Sequence, residues 1–498
     1  MNFKYYFIIL NILIIIQFLV SVLIANDFVY AIDDPYIHLA VAKNLYFNNI
    51  WGAVWGQFSG TSSSILFTLL NWFLYILLPN SISEYYPLIL NMIAANLLLN
   101  FLIHFGEEFN FSKSLHIVFF LILIIYLPLL ANILNGMEHL WHILFLGYYL
   151  LFLIRILQGN ENSILLFYIT TFLLTSARYE GLFIVASGFL ILSLNKKYKV
   201  ATLQLFVALL PITIYGLYSI TQGGYFLPNT LLAKGKSLEI GISAFPILLD
   251  RFFSVLVVKK QIIPSIIIII FSLYYFIKSK NRLYFHITIF IGFIFIQHIV
   301  FADFGWFFRY EAYLIFTSGL LLLFVLNDLQ QNNKLGKLVI ILTLLLSLPL
   351  IYRFIISIER TNLSGKYHKD VHIAYTEFID KNFSSNEMIM AGDIGTLCFF
   401  LRNPLLDVNG LATSEITEAI RNGYQSSNFL DSVAAANKVD VAILYKTWEG
   451  NLLSNKWKLI GYWYGYNPTG RVNAYMGLYT TNQSKYFKLK QQFDSQSK

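Results

Sequence analysis

The sequence predicts an α-helical, polytopic membrane protein that ends in a small extracytoplasmic α/β domain. The first observation is composition, since 57% of the 498 residues are hydrophobic and 12% are charged, whereas soluble domains carry about 25% charged residues. The second is a series of apolar runs long enough to cross a bilayer as helices. The third is a change of character after residue 357, where charges return and apolar runs shorten to strand length.

The apolar runs predict about 11–13 transmembrane helices. The first, residues 5–25, contains no charge and is longer than the apolar core of a signal peptide, so we expect it to be retained. The run 163–194 is interrupted by RYEG at 178–181, which predicts one crossing plus a half-helix or two short helices. The runs are 5–25, 62–79, 85–104, 114–134, 138–157, 163–194, 200–220, 252–277, 283–301, 310–326 and 337–357.

Basic loops predict the orientation in the membrane. Lys and Arg concentrate at 195–199, 278–282 and 327–337, and such loops face the cytoplasm. With a cytoplasmic N-terminus, the loop 26–61 and everything after 357 lie outside, in an inner or plasma membrane. The sidedness of 105–113, 135–138 and 158–162 stays open. We therefore expect a transmembrane module, 1–357, followed by an extracytoplasmic domain, 358–498.

The C-terminal segment alternates helical and strand-like stretches, which indicates a small α/β domain. Residues 369–383 and 427–438 are typical of helices. Residues 387–391, 439–445, 457–464 and 472–480 are typical of strands. The loops GDIG at 392–395 and DVNG at 407–410 follow short apolar runs, and turn chemistry explains them as well as substrate contact does. The single cysteine, Cys398, excludes an intramolecular disulfide.

An acidic pair in the first external loop is the leading candidate for a catalytic centre. Asp34 precedes Pro35, and Asp before Pro is typical of a helix start, so capping explains Asp34. Asp33 has no such duty. Neighbouring carboxylates raise each other's pKa and suit general-base catalysis or cation binding. The competing interpretation is that Asp33 is a solvated loop acid.

Two further features of this loop have a functional and a structural interpretation. His38 lies one helical turn after Asp34, so the two side chains share a face and form a candidate metal pair. A polar histidine at the interface is the alternative. The stretch SGTSSS at 59–64 precedes the next apolar run, and it suits either anion binding by a helix start or simple capping.

Several charges lie in or beside apolar segments, where they are costly and usually functional or paired. Arg178 and Glu180 interrupt one run and can pair with each other. Lys234 and Arg309 fall on the same predicted external face as Asp33. A carboxylate with two cations is what transfer from a phosphate-bearing donor requires, since the carboxylate takes a proton and the cations stabilise the departing phosphate. The remaining members of this group are Glu138 and Asn229.

Taken together, these motifs resemble the GT-C superfamily of integral membrane glycosyltransferases, in the bacterial branch near protein mannosyltransferases and arabinofuranosyltransferases. The resemblance covers most of the chain to about residue 320. Tyr179 stands where the family usually has Pro, and Asn135 where Ser is common. The motifs, in order, are DDPYIH at 33–38, GTSSS at 60–64, NGME at 135–138, ARYEG at 177–181, LPNT at 227–230 with AK at 233–234, and RY at 309–310.

The resemblance implies an inverting enzyme whose donor is a sugar on polyprenyl phosphate and whose acceptor is a hydroxyl of a glycan, lipid or protein. Asp33 matches the general base, assisted by Asp34, and Lys234 and Arg309 match positions suited to the lipid phosphate. The cofactor stays open, since some members use a divalent metal and others none. The other implied substrate-binding residues are Asn229, Arg178, Glu180, Glu138 and His38. Membrane lipids are expected partners and nucleic acid is not.

Two other functions are compatible with the sequence. A lipid-linked oligosaccharide transporter or flippase would carry ionisable residues near helix midpoints and paired broken helices. The charges here gather in external loops instead, which favours an enzyme. A non-enzymatic envelope-assembly protein would leave the acidic pair replaceable.

Overall fold

Helices account for most of the chain in a computed structural model that describes residues 3–234, 246, 252–255, 262–334, 336–465 and 475–496. The helices of the membrane module follow the apolar runs. They are Lys4–Ala25, Asp34–Asn48, Ile65–Leu77, Tyr86–Glu108, Lys113–Leu121, Leu129–Leu134, His139–Leu157, Ile164–Ala177, Gly181–Leu194, Tyr198–Thr221, Asn229–Lys234, Ile263–Ser279, Arg282–Phe301, Ala312–Gln331 and Lys337–His368.

Seven helical segments in the described part of the chain are long and apolar enough to cross a membrane, and four shorter apolar helices accompany them. The helix Ala312–Gln331 lies at the centre, since 94% of its most apolar 18-residue stretch is buried. In Lys4–Ala25 only 22% of the corresponding stretch is buried, so this helix presents most of its apolar surface outward. Outward-facing apolar surface of this extent requires lipid as the solvent, so the chain is a multi-pass membrane protein.

The long run 163–194 divides into two short helices, Ile164–Ala177 and Gly181–Leu194, one of the two predicted arrangements. The division falls at Arg178, whose backbone is extended and ends the first helix. The polar residues 178–180 therefore occupy the turn between two apolar helices and can reach other charged groups.

The run 62–79 forms the 13-residue helix Ile65–Leu77. At about 1.5 Å per residue it is roughly 20 Å long, short of the ~30 Å hydrocarbon core. It packs along Asp34–Asn48 instead, with Thr68 Oγ1 3.1 Å from His38 Nδ1 and the Tyr75 ring stacked on Tyr46. The two helices thus pack on each other, and Ile65–Leu77 is one of the four shorter apolar helices.

The C-terminal segment forms the predicted α/β domain. Its strands are β1 Ile389–Ala391, β2 Leu405–Asp407, β3 Val441–Tyr445, β4 Lys458–Trp463 and β5 Met476–Thr480. The sheet order is β2-β1-β3-β5-β4, parallel across the first three strands and antiparallel across the last three. Predicted strand residues 472–474 lie outside the described chain. The helices are Ala374–Asn382, Gly395–Phe400, Ser414–Arg421, Ser427–Ala436, Lys446–Glu449 and Tyr486–Gln496.

One continuous helix, Lys337–His368, joins the two parts, and the expected boundary at 358 falls inside it. Its C-terminal end packs on the loop 26–61. Ser364 Oγ donates a 2.6 Å hydrogen bond to the Ala31 carbonyl oxygen, and Lys369 Nζ lies 2.7 Å from Asp27. These contacts set the sheet domain directly against the loop that contains the acidic pair.

Candidate functional site

Asp33 has a structural duty that the sequence analysis did not foresee. Its Oδ2 accepts a 2.5 Å hydrogen bond from the backbone N–H of Gly395, and its Oδ1 a 3.0 Å bond from Thr396. These groups begin the helix Gly395–Phe400 of the sheet domain, where N–H groups lack helical partners. The carboxylate is 8% exposed. The prediction that Asp33 has no structural duty is therefore wrong, since it ties the first loop to the C-terminal domain.

Asp34 also differs from its predicted role. It is the first residue of the helix Asp34–Asn48, and Asp33 occupies the capping position without a side-chain cap bond. The Asp34 carboxylate forms an ion pair with Arg309 instead. The prediction that Asp34 caps the helix is wrong because its side chain is drawn to a cation on a distant segment. Asp34 is 29% exposed and is thus the more accessible member of the pair.

Arg309 is buried, with 1% of its side chain exposed. Its Nη2 donates to Asp34, while Nε and Nη1 have no hydrogen-bond partner among the described residues. The guanidinium also lies 5.1 Å from the Tyr310 ring centre. A buried guanidinium with two unfilled N–H groups can bind an anion in a fixed fork geometry.

The segment that presents Arg309 has an unusual backbone. Residues 305–308 all have positive φ, and three of them, Trp306, Phe307 and Phe308, are not glycine. Left-handed backbone costs about 1–2 kcal/mol per non-glycine residue, so other contacts must hold this turn. Asn135 Nδ2 donates a 2.9 Å bond to the Phe307 carbonyl, which connects the NGME segment to the turn.

A buried ion pair supplies the main support for this turn. Arg353 Nη2 lies 2.9 Å from Glu311 Oε1 and 2.7 Å from the Phe308 carbonyl oxygen. Glu311 Oε2 accepts a 2.6 Å bond from the Gly305 N–H. Both charged side chains are at most 3% exposed. The pair therefore fixes both ends of the turn and, through it, the position of Arg309.

The other charges predicted for the site form a second buried network. Arg178 pairs with Glu138, and its Nε and Nη2 also donate to the two oxygens of Glu180 at 3.1 and 2.6 Å. The expected pairing of Arg178 with Glu180 is thus present. His38 is 2% exposed, with Nε2 3.6 Å from Glu138 Oε2. The Tyr310 ring lies beside both Arg178 and Arg309, so the two networks meet.

Unpartnered polar atoms collect around this meeting point. Among the residues that the structure describes, several buried nitrogens and oxygens have no hydrogen-bond partner, although such groups are normally satisfied. They include both ring nitrogens of His139, Nε2 of His142, Oδ1 of Asn135 and Oε2 of Glu138. With the two N–H groups of Arg309, they provide donors and acceptors for a polar ligand.

Two predicted residues on the LPNT segment have different outcomes. Asn229 is 2% exposed, and its N–H donates a 2.9 Å bond to the Gly60 carbonyl, so it joins the helix Asn229–Lys234 to the first loop. Asn229 Nδ2 has no partner in the part of the chain that is described. Lys234 ends that helix, but its side chain lies outside the described residues.

A metal site is not formed by Asp34 and His38 alone. His38 is occupied by Thr68 on Nδ1, at 3.1 Å, and faces Glu138 on the other nitrogen. Within the described ranges, no group of three or more His, Cys, Asp or Glu side chains is arranged to hold a metal ion. His38 thus serves as a buried polar link between the first loop and the NGME segment.

The structure places His372 and Asp393 in the acidic centre with Asp33, although the sequence analysis did not name either as a site residue. His372 lies between two carboxylates, with Nδ1 3.5 Å from Asp33 Oδ1 and Nε2 3.6 Å from Asp393 Oδ2. The Tyr445 hydroxyl lies 2.9 Å from His372 Nε2. Asp393 belongs to the GDIG loop, for which the sequence analysis named both turn chemistry and substrate contact. No local sequence pattern predicts a role for His372, because the carboxylates that it contacts lie in distant segments of the chain.

Burial governs the acid strength of these carboxyls. It raises the pKa of Asp33 to about 6, and the N–H groups of Gly395 and Thr396 act in the opposite direction. Burial likewise raises the pKa of Asp393 to about 6, against the lowering effect of His372. Both groups thus change charge near neutral pH, as carboxyls in functional sites often do.

The second loop of the sheet domain, DVNG, is structural. Asp407 is fully buried and accepts hydrogen bonds from the N–H groups of Asn409, Leu411 and Ala412 at 2.8, 2.5 and 2.8 Å. Turn chemistry therefore accounts for Asp407. Asn409 donates a 3.1 Å bond to the buried Glu449.

Comparison with known proteins gives one family match and a group of structural neighbours. A family described as a domain of unknown function (DUF8728) matches residues 359–485. No curated protein matches the chain. Among solved structures, the chain is similar to ArnT from Cupriavidus metallidurans in the apo state, with a TM-score of 0.54 and 10% identity, covering 96% of this chain and 97% of ArnT.

The same ArnT bound to undecaprenyl phosphate is also similar, with a TM-score of 0.53, 10% identity, and coverage of 95% of this chain and 98% of ArnT. At this identity the likeness shows the fold alone. It confirms the GT-C-like fold expected from the sequence. It gives no support to the narrower branch near protein mannosyltransferases and arabinofuranosyltransferases.

Proposed function

We propose that this chain is a glycosyltransferase that moves a sugar from a polyprenyl-phosphate donor to an acceptor hydroxyl on the external face of the membrane. The observation that carries the proposal is the contact between Asp34 and Arg309, which sets a carboxylate beside a buried cation whose Nε and Nη1 have no hydrogen-bond partner in the described part of the chain. The likeness to ArnT bound to undecaprenyl phosphate supports a lipid-linked donor. The proposal includes an inner or plasma membrane with the N-terminus cytoplasmic and the domain after 357 outside.

In this reaction the acceptor oxygen attacks the anomeric carbon of the sugar, and the bond from that carbon to the phosphate oxygen breaks. The hydroxyl proton passes to the Asp34 carboxylate, and the departing phosphate keeps the bonding electron pair. Arg309 stabilises the developing charge on the phosphate through Nε and Nη1. Because base and cation lie next to each other, one residue pair serves both the acceptor and the leaving group.

The base is assigned to Asp34 rather than to Asp33, which departs from the expectation drawn from the sequence. A general base must come within about 2.6–3.2 Å of the hydroxyl it deprotonates. Both oxygens of Asp33 already accept backbone N–H groups, and its side chain is 8% exposed against 29% for Asp34. Asp33 is a positioning residue, which holds the sheet domain beside its neighbour.

The remaining residues supply the polar environment of the donor. Arg178 and Glu138 lie around Tyr310 with Arg309, and His38 connects them to the first loop. Glu138 Oε2 and the Nε and Nη1 of Arg309, which have no hydrogen-bond partner among the described residues, suit the hydroxyls and phosphate oxygens of a lipid-linked sugar. Asn229 belongs to the same proposed site through its contact with Gly60, and Lys234 is assigned to it as the last residue of the same helix.

The test is transfer from a panel of radiolabelled polyprenyl-phosphate sugars, using full-length protein in native membranes. Asp34→Asn should reduce transfer by about 100-fold or more. Asp494→Asn is the matched control, since its side chain is 54% exposed and pairs only with Lys490 of the same helix among the described residues; it should transfer as wild type does. Wild-type activity in Asp34→Asn would remove the base role. Donor movement across vesicles without transfer by the wild type would favour a transporter.

A further inference from the structure

Two tryptophans meet at the seam between the membrane module and the sheet domain. Trp306 lies in the left-handed turn before Arg309, and Trp448 lies in the helix Lys446–Glu449 that follows β3. Their ring centres are 6.3 Å apart with an interplanar angle of 52°. The side chains are 44% and 45% exposed. Large aromatic faces are thus left open to solvent from both parts of the chain at one place.

This aromatic pair lies close to the acidic centre. The Trp448 ring is 4.5 Å from the Tyr445 ring, and the Tyr445 hydroxyl is 2.9 Å from His372 Nε2. His372 in turn lies within 3.6 Å of both Asp33 and Asp393. Trp306 lies three residues before Arg309, in the left-handed turn that Glu311 and Arg353 hold. The pair therefore borders the acidic centre on one side and the proposed phosphate-binding residue on the other.

The backbone at Trp306 is held in an unfavourable conformation. Its φ is +44°, and the next two residues are also left-handed. Strained backbone persists where surrounding contacts over-determine it, and it concentrates at ligand clamps and active sites. Here the buried pair of Glu311 and Arg353 holds the turn. The strain and the exposure of the indole together point to a ligand at this ring.

An aromatic belt at the membrane surface is the other common reason for exposed tryptophan. Trp448 does not fit that explanation, because it follows a sheet strand rather than a membrane helix. Its neighbours are Tyr445 and Trp306, and it borders a centre of carboxylates. The two indoles therefore meet at the seam between the two parts of the chain and leave aromatic surface exposed there.

The carboxylates and indoles around this place indicate which class of acceptor it would bind. Carboxylates accept hydrogen bonds from hydroxyls, and the electron-rich face of an indole attracts the positively polarised C–H bonds of a sugar ring. Asp393 is 29% exposed. Asp34, by contrast, is paired with Arg309, and both oxygens of Asp33 are held by backbone N–H groups. An anionic acceptor would be repelled by the Asp393 carboxylate. A neutral sugar has both the hydroxyls and the apolar ring faces that these groups bind.

We propose that Trp306, Trp448 and Asp393 form the acceptor subsite, and that the acceptor is a neutral sugar residue of a glycan. The inference rests on the proposed glycosyltransferase function and specifies its second substrate. The C-terminal domain then contributes directly to acceptor binding, with Trp448 stacking on the sugar ring and Asp393 accepting its hydroxyl protons in hydrogen bonds.

The first experiment determines which atom receives the transferred sugar. Membranes of the source cell, which contain the native acceptor, are supplied with a radiolabelled polyprenyl-phosphate sugar, and the product is subjected to linkage analysis. A bond to a sugar hydroxyl is expected. A bond to a Ser or Thr side chain, or to a lipid hydroxyl, would overturn this proposal while leaving the glycosyltransferase function intact. No labelled product from any donor would instead contradict the function itself.

The second experiment measures the subsite with a defined probe. The methyl glycoside of the acceptor sugar found by linkage analysis is titrated against full-length protein in proteoliposomes at saturating donor. Trp448→Ala should raise KM for this probe about tenfold, with kcat changed by less than about threefold. Trp448→Phe, which keeps an aromatic face, should restore most of the affinity.

Two controls separate a subsite from a general loss of folding. Phe487→Ala alters a side chain that is 83% exposed elsewhere in the sheet domain, and it should leave KM unchanged. Binding of undecaprenyl phosphate should be the same in Trp448→Ala as in the wild type, because the donor site lies on Arg309. An unchanged acceptor KM in Trp448→Ala, or an equal rise in Phe487→Ala, would refute the subsite.

Discussion

Arg309 donates a hydrogen bond to Asp34 across 275 residues of sequence, and the contact joins the loop 26–61 to a late turn of the membrane module. The guanidinium is buried while the carboxylate remains partly exposed. A buried charge needs a partner, so Asp34 stabilises Arg309 in the folded chain. The same contact leaves two N–H groups of Arg309 without a described partner, available for an anion.

Replacing Arg309 by Lys should therefore retain the charge but lose the fork of N–H donors. Transfer is expected to fall by about 100-fold, because one point charge cannot pair with Asp34 and hold a phosphate in the same geometry. Binding of undecaprenyl phosphate to the purified protein should weaken in parallel. Arg155→Lys is the control, since Arg155 makes a similar two-bond contact with Glu108 away from the site. Equal losses in the two variants would argue against the role of Arg309.

Asp33→Asn should loosen the sheet domain rather than abolish the chemistry outright. An amide has one oxygen, so one of the N–H groups of Gly395 and Thr396 would face an N–H₂ group and lose its acceptor. A buried donor without a partner costs about 1–3 kcal/mol. Faster limited proteolysis of residues beyond 368 is the expected readout. Asp34→Asn should lose activity with a smaller change in proteolysis beyond 368, because Asp34 contacts Arg309 of the membrane module rather than the sheet domain. The reverse pattern would exchange the two roles.

Gly395→Ala should have the same effect as Asp33→Asn. A Cβ at this position would lie 2.3 Å from the Asp33 carbonyl oxygen and 2.7 Å from Oδ2, so the helix start would have to move away. Because both changes break one contact, the double variant should be less destabilised than the sum of the two single variants. Thermal unfolding of all four proteins in detergent measures this coupling. Strict additivity would show that Gly395 and Asp33 act independently.

Glu449 should make the stability of the sheet domain depend on pH. Burial raises its pKa from 4.5 to about 8. Between these two values the unfolded chain ionises Glu449 while the folded chain keeps it protonated, so stability falls as pH rises and levels off above about 8. In Glu449→Gln this dependence is absent. The melting temperature of wild type minus that of the variant should therefore decrease from pH 5 to pH 8, and a constant difference would contradict the assignment.

Much of the site was visible in the sequence as separate pieces. The acidic pair, Glu138, Arg178 and Arg309 stood out because charges beside apolar segments are costly and need a reason. The pairing of Arg178 with Glu180 followed from their spacing in one turn. Asp34 was assigned to a cap because Asp before Pro fits a helix start, and the tertiary contact with Arg309 outweighed that local preference.

The sequence by itself determined the fold class, because long runs without charge can be stable only as helices in lipid, and short alternating segments in a polar tail favour a sheet domain. Only the tertiary structure decided the different contacts of Asp33 and Asp34. Asp33 meets Gly395 across 362 residues, and Asp34 meets Arg309 across 275. Neighbours in the chain thereby acquire different exposure and partners, because the field around a carboxylate depends on what packs against it, which spacing in the sequence does not encode.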